Sequence, residues 1–425
     1  MKTDLCEYYT EVKNKFLNQC NECGLCITKC PVIQYTDIRN SNSKVIQKDI
    51  IKFLNGGELS QEAQTKVFSC MECFKCVGRK HCPKGFNTIT INEIVKWELQ
   101  KRIARTDLDI EKDDYINQKV LASIQVSKKD YEKISTATNK ESAEYVFFVG
   151  CNVYKQPEKI LNAIDIINMI THDWAFVPGI NYCCGDLYNS QGKPEKATEV
   201  YNKLTKKIAS YSPKKLILWC PTCNCRFAIN NMSTEAIPFE IVTFGQFVAE
   251  NMDKLRFKNE LKKTVTLHEA CKTSYMGIDL ESVRKLLISI PNVELVEMEH
   301  HGKDTLCCGS EARGHNPKCA DLIKEKRLRE AQYVNPDVLI DVCQFCHDTF
   351  AKDELSYEFK IENYVNFIAQ SLGINREDKY KKYKQWNNVE RVMEAAKDNI
   401  AHSPYTEEQI KIVLSKLFSE VNYEC

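Results

Sequence analysis

The pattern of apolar positions changes character twice along the chain. Up to about residue 105, apolar residues recur at helical spacing between cysteine-rich stretches; over residues 87–103, Ile91, Ile94, Val95 and Leu99 share one helical face. Residues 106–144 are charged, polar and free of cysteine, and read as a linker with some helix. From Tyr145 onward, short β-branched or aromatic runs alternate with amphipathic helical patterns, which predicts an α/β architecture. Strand-like runs fall at 145–149, 215–219, 264–268 and 337–342. The tail from about residue 374 is polar and ends in a predicted helix. There Thr406 and Gln409 fit a capping box, and Ile410, Val413, Leu414, Leu417 and Phe418 form an apolar face expected to pack on the body of the protein.

The α/β region repeats itself. Cys151 is followed by Cys183-Cys184-Gly185 and then by Cys220-Pro-Thr-Cys223; Cys271 is followed by Cys307-Cys308-Gly309 and then by Cys343-Gln-Phe-Cys346. The copies start 120 residues apart. In each, the first and the last cysteine pair follow strand-like runs, and each CCG leads to a proline, Pro194 or Pro317, suited to the first turn of a helix. After Pro194, residues Ala197, Val200, Tyr201, Leu204 and Ile208 form an apolar stripe. Five cysteines in the same order, twice, indicate a tandem duplication. The expected organisation is therefore a helical module at 1–105, a linker at 106–144, a first lobe at 145–260, a second at 261–373 and a helical extension at 374–425.

Charge adds little at the level of the whole chain but is uneven within it. The 425 residues carry 59 Lys and Arg against 58 Asp and Glu, a net of +1, which gives no general case for nucleic acid. Residues 1–105 hold 17 basic against 11 acidic side chains, a net of +6, and the rest 42 against 47, a net of −5. The basic segment is also the densest in cysteine. Partial neutralisation of thiolates accounts for that, with docking of an acidic redox partner as the second reading. No apolar run approaches the ~18–20 residues of a membrane span, and the first twenty residues lack the apolar core of a signal peptide. A cytoplasmic protein is expected, reaching a membrane only through a partner.

The chain has 22 cysteines, too many and too regularly spaced for a disulfide scaffold in a protein without an export signal. Cys20-x-x-Cys23-x-x-Cys26-x3-Cys30-Pro and Cys70-x-x-Cys73-x-x-Cys76-x5-Cys82-Pro follow the grammar of ferredoxin-type clusters, in which three close cysteines hold one cluster and the fourth reaches the other. This assigns Cys20, Cys23, Cys26 and Cys82 to one cubane [4Fe–4S] cluster and Cys70, Cys73, Cys76 and Cys30 to a second. Zinc sites use paired CxxC motifs instead. The five-residue gap before Cys82 departs from the usual three. The helical spacers resemble the α-helical ferredoxin modules of respiratory reductases.

The two Cys…CCG…CxxC copies resemble the cysteine-rich CCG domain, and their order after a two-cluster module is similar to that of the catalytic D subunit of heterodisulfide reductase. The resemblance spans roughly residues 15–350 and includes 18 of the 22 cysteines. It implies that each copy binds a non-cubane [4Fe–4S] cluster through five cysteines: Cys151, Cys183, Cys184, Cys220 and Cys223 in the first lobe, and Cys271, Cys307, Cys308, Cys343 and Cys346 in the second. It also implies reductive cleavage of a disulfide to two thiols. Two such sites suit that chemistry, because breaking a disulfide takes two electrons and each cluster delivers one. No G-x-G-x-x-G fingerprint is present, so no flavin or NAD site is expected in this chain. A redox partner (flavoprotein, hydrogenase or membrane b-type cytochrome) must supply electrons. The alternative is the iron–sulfur electron-transfer subunit of a flavin-dependent glycolate, glycerol-3-phosphate or lactate dehydrogenase.

Aligning the copies singles out residues peculiar to the second. His268 stands where the first has Phe148, Lys272 where it has Asn152, and Arg313 where it has Asn189. A catalytic reading makes His268 a proton donor and Lys272 and Arg313 anion-binding groups; the plainer reading is packing and solvated charge. Cys225 and Cys319 align with Asp348 and Lys196, and Cys6 and Cys425 lie near the ends, so none of the four is expected to be a ligand.

Overall fold

The structure, a computed structural model, describes residues 4–77, 81–102, 115–231, 237–314 and 316–418. Its body is two four-stranded, wholly parallel sheets. The first comprises β1 (Tyr145–Phe148), β2 (Trp174–Val177), β3 (Lys215–Leu218) and β4 (Glu240–Thr243), in the order β2-β1-β3-β4. The second comprises β5 (Lys263–His268), β6 (Val293–Leu295), β7 (Val338–Asp341) and β8 (Lys360–Asn363), in the order β6-β5-β7-β8. The topologies are identical, as a duplication requires. Parallel neighbours need crossover connections, and helices supply them here.

Strand alternation explains how the lobes sit together. Phe147 and Ile217 of the first sheet point into a core shared with Val265 and Ile340 of the second, filled by helices Pro157–Ile170, Phe244–Glu250, Ser282–Ser289 and Tyr364–Ser371. Their neighbours Val146, Phe148, Leu216 and Leu218 point the other way, into a separate core with Tyr201, Leu204 and Ile208. The helical stripe after Pro194 is therefore the inner face of helix Pro194–Ala209, with Pro194 in its first turn; Pro317 occupies the same place in Pro317–Tyr333.

The N-terminal module is helical. Leu5–Gln19, Ser43–Leu54 and Gln61–Phe68 enclose Phe16, Ile46, Ile50, Phe53 and Val67 together with one face of helix Thr88–Arg102. That last helix is buried on all sides from Thr88 to Trp97, not only along its apolar stripe. Its polar positions find partners: Asn92 accepts from Lys66, Lys96 donates to the Ser190 carbonyl at 2.7 Å, and Glu93 pairs with Arg226 at 2.8 Å. The helix is thus wedged between the module and the first lobe.

The segment read as a linker is largely structural. Helices Ile116–Gln125 and Lys128–Ser135 pack on the body, with Val120, Leu121 and Ile124 buried against Tyr380, Tyr383, Val413 and Leu414 of the C-terminal extension. From Val120 to Gln125 the first of these helices is buried on all sides, with Ala122 in the shared core of the lobes. The capping box forms: Thr406 N–H donates to Gln409 Oε1 at 3.0 Å and Gln409 N–H to Thr406 Oγ1 at 3.2 Å, opening helix Glu407–Phe418. Among the described residues, no helix is long and apolar enough to cross a membrane.

Candidate functional site

Ligand sites of parallel α/β sheets lie beyond the carboxyl ends of the strands, and the repeated cysteines are delivered there. Cys151 follows the end of β1, and Cys220, just beyond β3, is the N-cap of helix Pro221–Asn230. In the second lobe Cys271 opens helix Cys271–Met276 after β5, and Cys343 is the N-cap of Gln344–Phe350 after β7. The CCG turn has a backbone reason for its glycine. Gly185 and Gly309 sit at φ +84° and +83°, and a Cβ would stand 2.9 Å from the Ala197 carbonyl oxygen and 2.5 Å from that of Ala320. In this left-handed turn each glycine N–H donates back to Cys183 or Cys307 Sγ at 3.3 Å.

The thiols meet in the same order in both lobes. In the first, the thiols interact pairwise, Cys151 with Cys183, Cys183 with Cys184, Cys184 with Cys223 and Cys223 with Cys220. In the second, Cys271 interacts with Cys307 (Sγ–Sγ 3.8 Å), Cys307 with Cys308, Cys308 with Cys346 and Cys346 with Cys343. In each lobe the first cysteine of the CCG turn is held low and the second high. The Cys151 and Cys184 thiols, with the Gly185 N–H, hold Cys183 well below the usual thiol range, and Cys271, Cys308 and Gly309 do the same for Cys307. Five convergent, largely buried sulfurs suit an iron–sulfur centre and exceed the four donors of tetrahedral zinc.

The N-terminal thiols sort across the two motifs. Cys20 interacts electrostatically with Cys26, Cys82 and Cys23, which also line one small cavity with Lys66 and Lys84. Cys30 lies with Cys70 instead, and Cys73 and Cys76 both feel the Cys30 charge. The sets also approach one another. Cys76 feels Cys26 of the first set, and Cys73 feels Cys307 of the second lobe. The Gln344 amide then spans the lobes, donating to Cys220 Sγ at 3.0 Å while its oxygen lies 3.9 Å from Cys343 Sγ. The second N-terminal set thus adjoins both lobes: Cys73 feels Cys307 of the second, and Cys70 and Cys76 pack beside Cys225 and Ile229 of the first.

The three non-cysteine candidates fare differently. His268 is fully buried with a ring nitrogen within 4.8 Å of the Cys308 and Cys346 sulfurs. Burial and the Arg327 charge hold it well below its usual range. It is therefore a neutral ring and not a store of acidic protons. Lys272 does not await an anion: it is buried and already paired with Asp186 at 3.5 Å and Glu311 at 3.8 Å. Arg313, the other anion-binding candidate, is exposed and already paired with Asp321 at 2.6 Å.

Sequence reasoning missed the polar seam that Lys272 belongs to. Arg226, buried in the first lobe, donates to Asp186 at 2.7 Å and to Glu93 of the N-terminal module at 2.8 Å. Tyr9 donates to Glu93 at 2.7 Å. Burial, with Asp186 and Glu93 nearby, pushes Glu72, between Cys70 and Cys73, up to about 8. No local motif marks these residues, since their partners lie 40 or more positions away. Of the remaining cysteines, Cys225 and Cys319 are buried in apolar surroundings, and Cys6 lies in the first helix with its thiol raised to about 12 by burial and Glu195. Cys425 lies outside the described residues.

A cavity of about 660 Å³ opens between the Ile27–Ser43 segment and the second lobe and reaches Cys30 and Cys307. Lys29, Arg39, Lys75 and Lys326 line it, and among the described residues no carboxylate does.

Comparison with known proteins defines the class first. A 4Fe-4S dicluster domain matches residues 16–86, and a cysteine-rich domain matches residues 145–228 and again 265–351. The chain is an iron–sulfur oxidoreductase subunit. More particularly, it is similar to the D-type subunits of heterodisulfide reductase. It is 23% identical over 398 residues to the D subunit of the dihydromethanophenazine:CoB–CoM heterodisulfide reductase of Methanosarcina barkeri, covering 86% of this chain and 96% of that one. It is 24% identical to the B subunit of the fumarate reductase (CoM/CoB) of Methanothermobacter marburgensis, over 86% of this chain and 74% of that one. A probable iron-sulfur-binding oxidoreductase of Bacillus subtilis is 23% identical over 83% of this chain and 46% of its own length.

Proposed function

We propose that this chain is a heterodisulfide reductase-like catalytic subunit that receives single electrons from a partner and uses them in pairs to cleave a disulfide. On this reading Cys20, Cys23, Cys26 and Cys82, and Cys70, Cys73, Cys76 and Cys30, hold two cubane [4Fe–4S] clusters. The five-thiol sets of the lobes hold two non-cubane [4Fe–4S] clusters. Bound there, the clusters supply one-electron storage and, in the lobes, a surface on which sulfur is reduced. The reaction consumes two electrons from the partner and two protons from solvent per S–S bond broken, and releases two thiols.

The observation that carries this reading is that both lobes retain all five thiols in the same order of contact. A chain acting only as a wire has no need of two matched terminal sets. The packing of the second N-terminal set against both lobes supports a route for electrons inward from the N-terminal module. The cavity beside Cys307 adds an entry for substrate, and its unopposed cations suit a disulfide bearing carboxylate, sulfonate or phosphate groups. The partner is a flavoprotein, a hydrogenase or a membrane b-type cytochrome, and any membrane association comes through it.

The second reading is an electron-transfer subunit of a flavin-dependent glycolate, glycerol-3-phosphate or lactate dehydrogenase. It draws support from the match to the Bacillus protein, whose name specifies no disulfide. The two separate in one experiment. Anaerobic protein, reduced with a low-potential dye and given an anionic mixed disulfide, is expected to release two thiols for every two electrons consumed. Full reduction of every cluster with no loss of disulfide would leave the wire reading standing.

A further inference from the structure

His268 closes β5, the central strand of the second lobe, and Arg327 reaches it from helix Pro317–Tyr333. Arg327 Nε–H donates to His268 Nδ1 at 2.9 Å. A guanidinium has only donors to offer, so Nδ1 must be the acceptor, and the neutral ring carries its proton on Nε2. Arg327 cannot rotate away from this task. It also donates to the His300 carbonyl at 2.7 Å, to Thr305 Oγ1 at 3.2 Å and to Glu330 at 3.0 Å. The ring is further fixed edge-on against Phe350, with centroids 4.9 Å apart. Nε2 is buried with no hydrogen-bond partner among the described residues, sulfur included, and a ring nitrogen of His268 lies within 4.8 Å of the Cys308 and Cys346 sulfurs.

The first lobe lacks this pair. The positions equivalent to His268 and Arg327 are Phe148 and Leu204, both buried in the apolar core that contains Cys184 and Cys223. Two contacting residues have therefore changed together, from apolar to polar, beside the same two thiols of the repeat.

Resting on the proposed assignment of these thiols to clusters, we infer that His268 is a positioning residue that aims an N–H at the Cys308 and Cys346 sulfurs, making the second-lobe centre easier to reduce than the first. Reduction adds negative charge to the sulfurs, and a fixed N–H dipole stabilises that charge. The same tautomer excludes His268 as an iron ligand, because ligation through Nε2 needs the lone pair where the proton sits. This donor holds charge at the centre beside the cavity that reaches Cys307.

The test is a spectroscopically monitored redox titration of the intact, cluster-loaded chain. H268F, and H268F combined with R327L to reproduce the first lobe, are expected to retain full iron and to shift one midpoint to more negative potential, with the other three unmoved. H268Q, which keeps an amide donor, is expected to restore part of the shift. Midpoints identical to the parent in H268F, or an H268Q value as low as that of H268F, would overturn the inference. Loss of the second-lobe signal together with its iron in H268F would overturn it too, by making His268 a ligand. A parent protein without lobe signals would instead fail the cluster assignment itself.

Discussion

The side-chain amide of Gln344, in the second lobe, donates to Cys220 Sγ of the first at 3.0 Å. Its counterpart in the repeat is Pro221, which has no donor to return. The Gln344 carbonyl in turn accepts from Gln156 at 3.1 Å. This one side chain couples the two five-thiol sets, and with the Cys223 thiol it draws Cys220 down to about 7. Replacing Gln344 with Leu removes the donor from a buried sulfur, at a cost of roughly 1–3 kcal/mol. The expected outcome is a change in the first-lobe cluster spectrum caused by a substitution in the second lobe, measured by low-temperature electron paramagnetic resonance alongside a denaturation midpoint.

Arg226 joins the N-terminal module to the first lobe through Glu93 and Asp186. Burial alone would raise Asp186, and Lys272 and Arg226 instead hold it below its usual value. Truncation to Ala strands two buried carboxylates, for which a loss of roughly 3–5 kcal/mol is typical. Chemical denaturation of R226A is expected to show this loss. Replacing Glu93 with Gln in the same background should recover part of it.

The two CCG glycines differ in clearance. G309A meets a carbonyl oxygen at 2.5 Å and G185A one at 2.9 Å, both from a left-handed backbone. Each is expected to destabilise by more than about 1 kcal/mol, with G309A the more severe. Each should also reduce iron content in its own lobe only. Equal iron in both variants and the parent would show that the turn does not set the thiol positions.

Asp378 ties the C-terminal extension to the lobes, accepting from Lys159 at 3.1 Å and bonding His347 Nε2 at 2.7 Å. Burial opposes its ionisation, but Lys159 and His347 outweigh burial and hold it well below the carboxylate range. A carboxyl depressed on folding contributes stability above its unfolded value, near 3.9, and loses it as pH falls toward the folded value. The stability gap between the parent and D378N is therefore expected to be full at neutral pH and to close below about pH 4, as read from urea midpoints across pH.

Lys326 and Lys75 face the cavity beside Cys307. A charge-assisted hydrogen bond contributes about 1.5–3 kcal/mol, so K326A or K75A is expected to raise KM for an anionic disulfide by roughly tenfold or more. An uncharged disulfide of similar size should be turned over with unchanged KM.

The cysteine spacing by itself determined the repeat, because ligand-bearing turns are local and their spacing is written in consecutive residues. The strand and helix alternation after Tyr145 was legible for the same reason: periods of two and of about 3.6 are properties of the backbone. The seam of Glu93, Asp186, Arg226 and Lys272 was decided only in three dimensions. Buried charges are recognised by their partners, and these partners come from three separate segments. Tertiary structure likewise made the 116–125 stretch a buried brace, gave Lys272 and Arg313 carboxylates, and set His268 against Arg327. A charged or titratable side chain has no fixed role until burial and neighbours set its protonation and its free valence, and those are properties of the packed molecule.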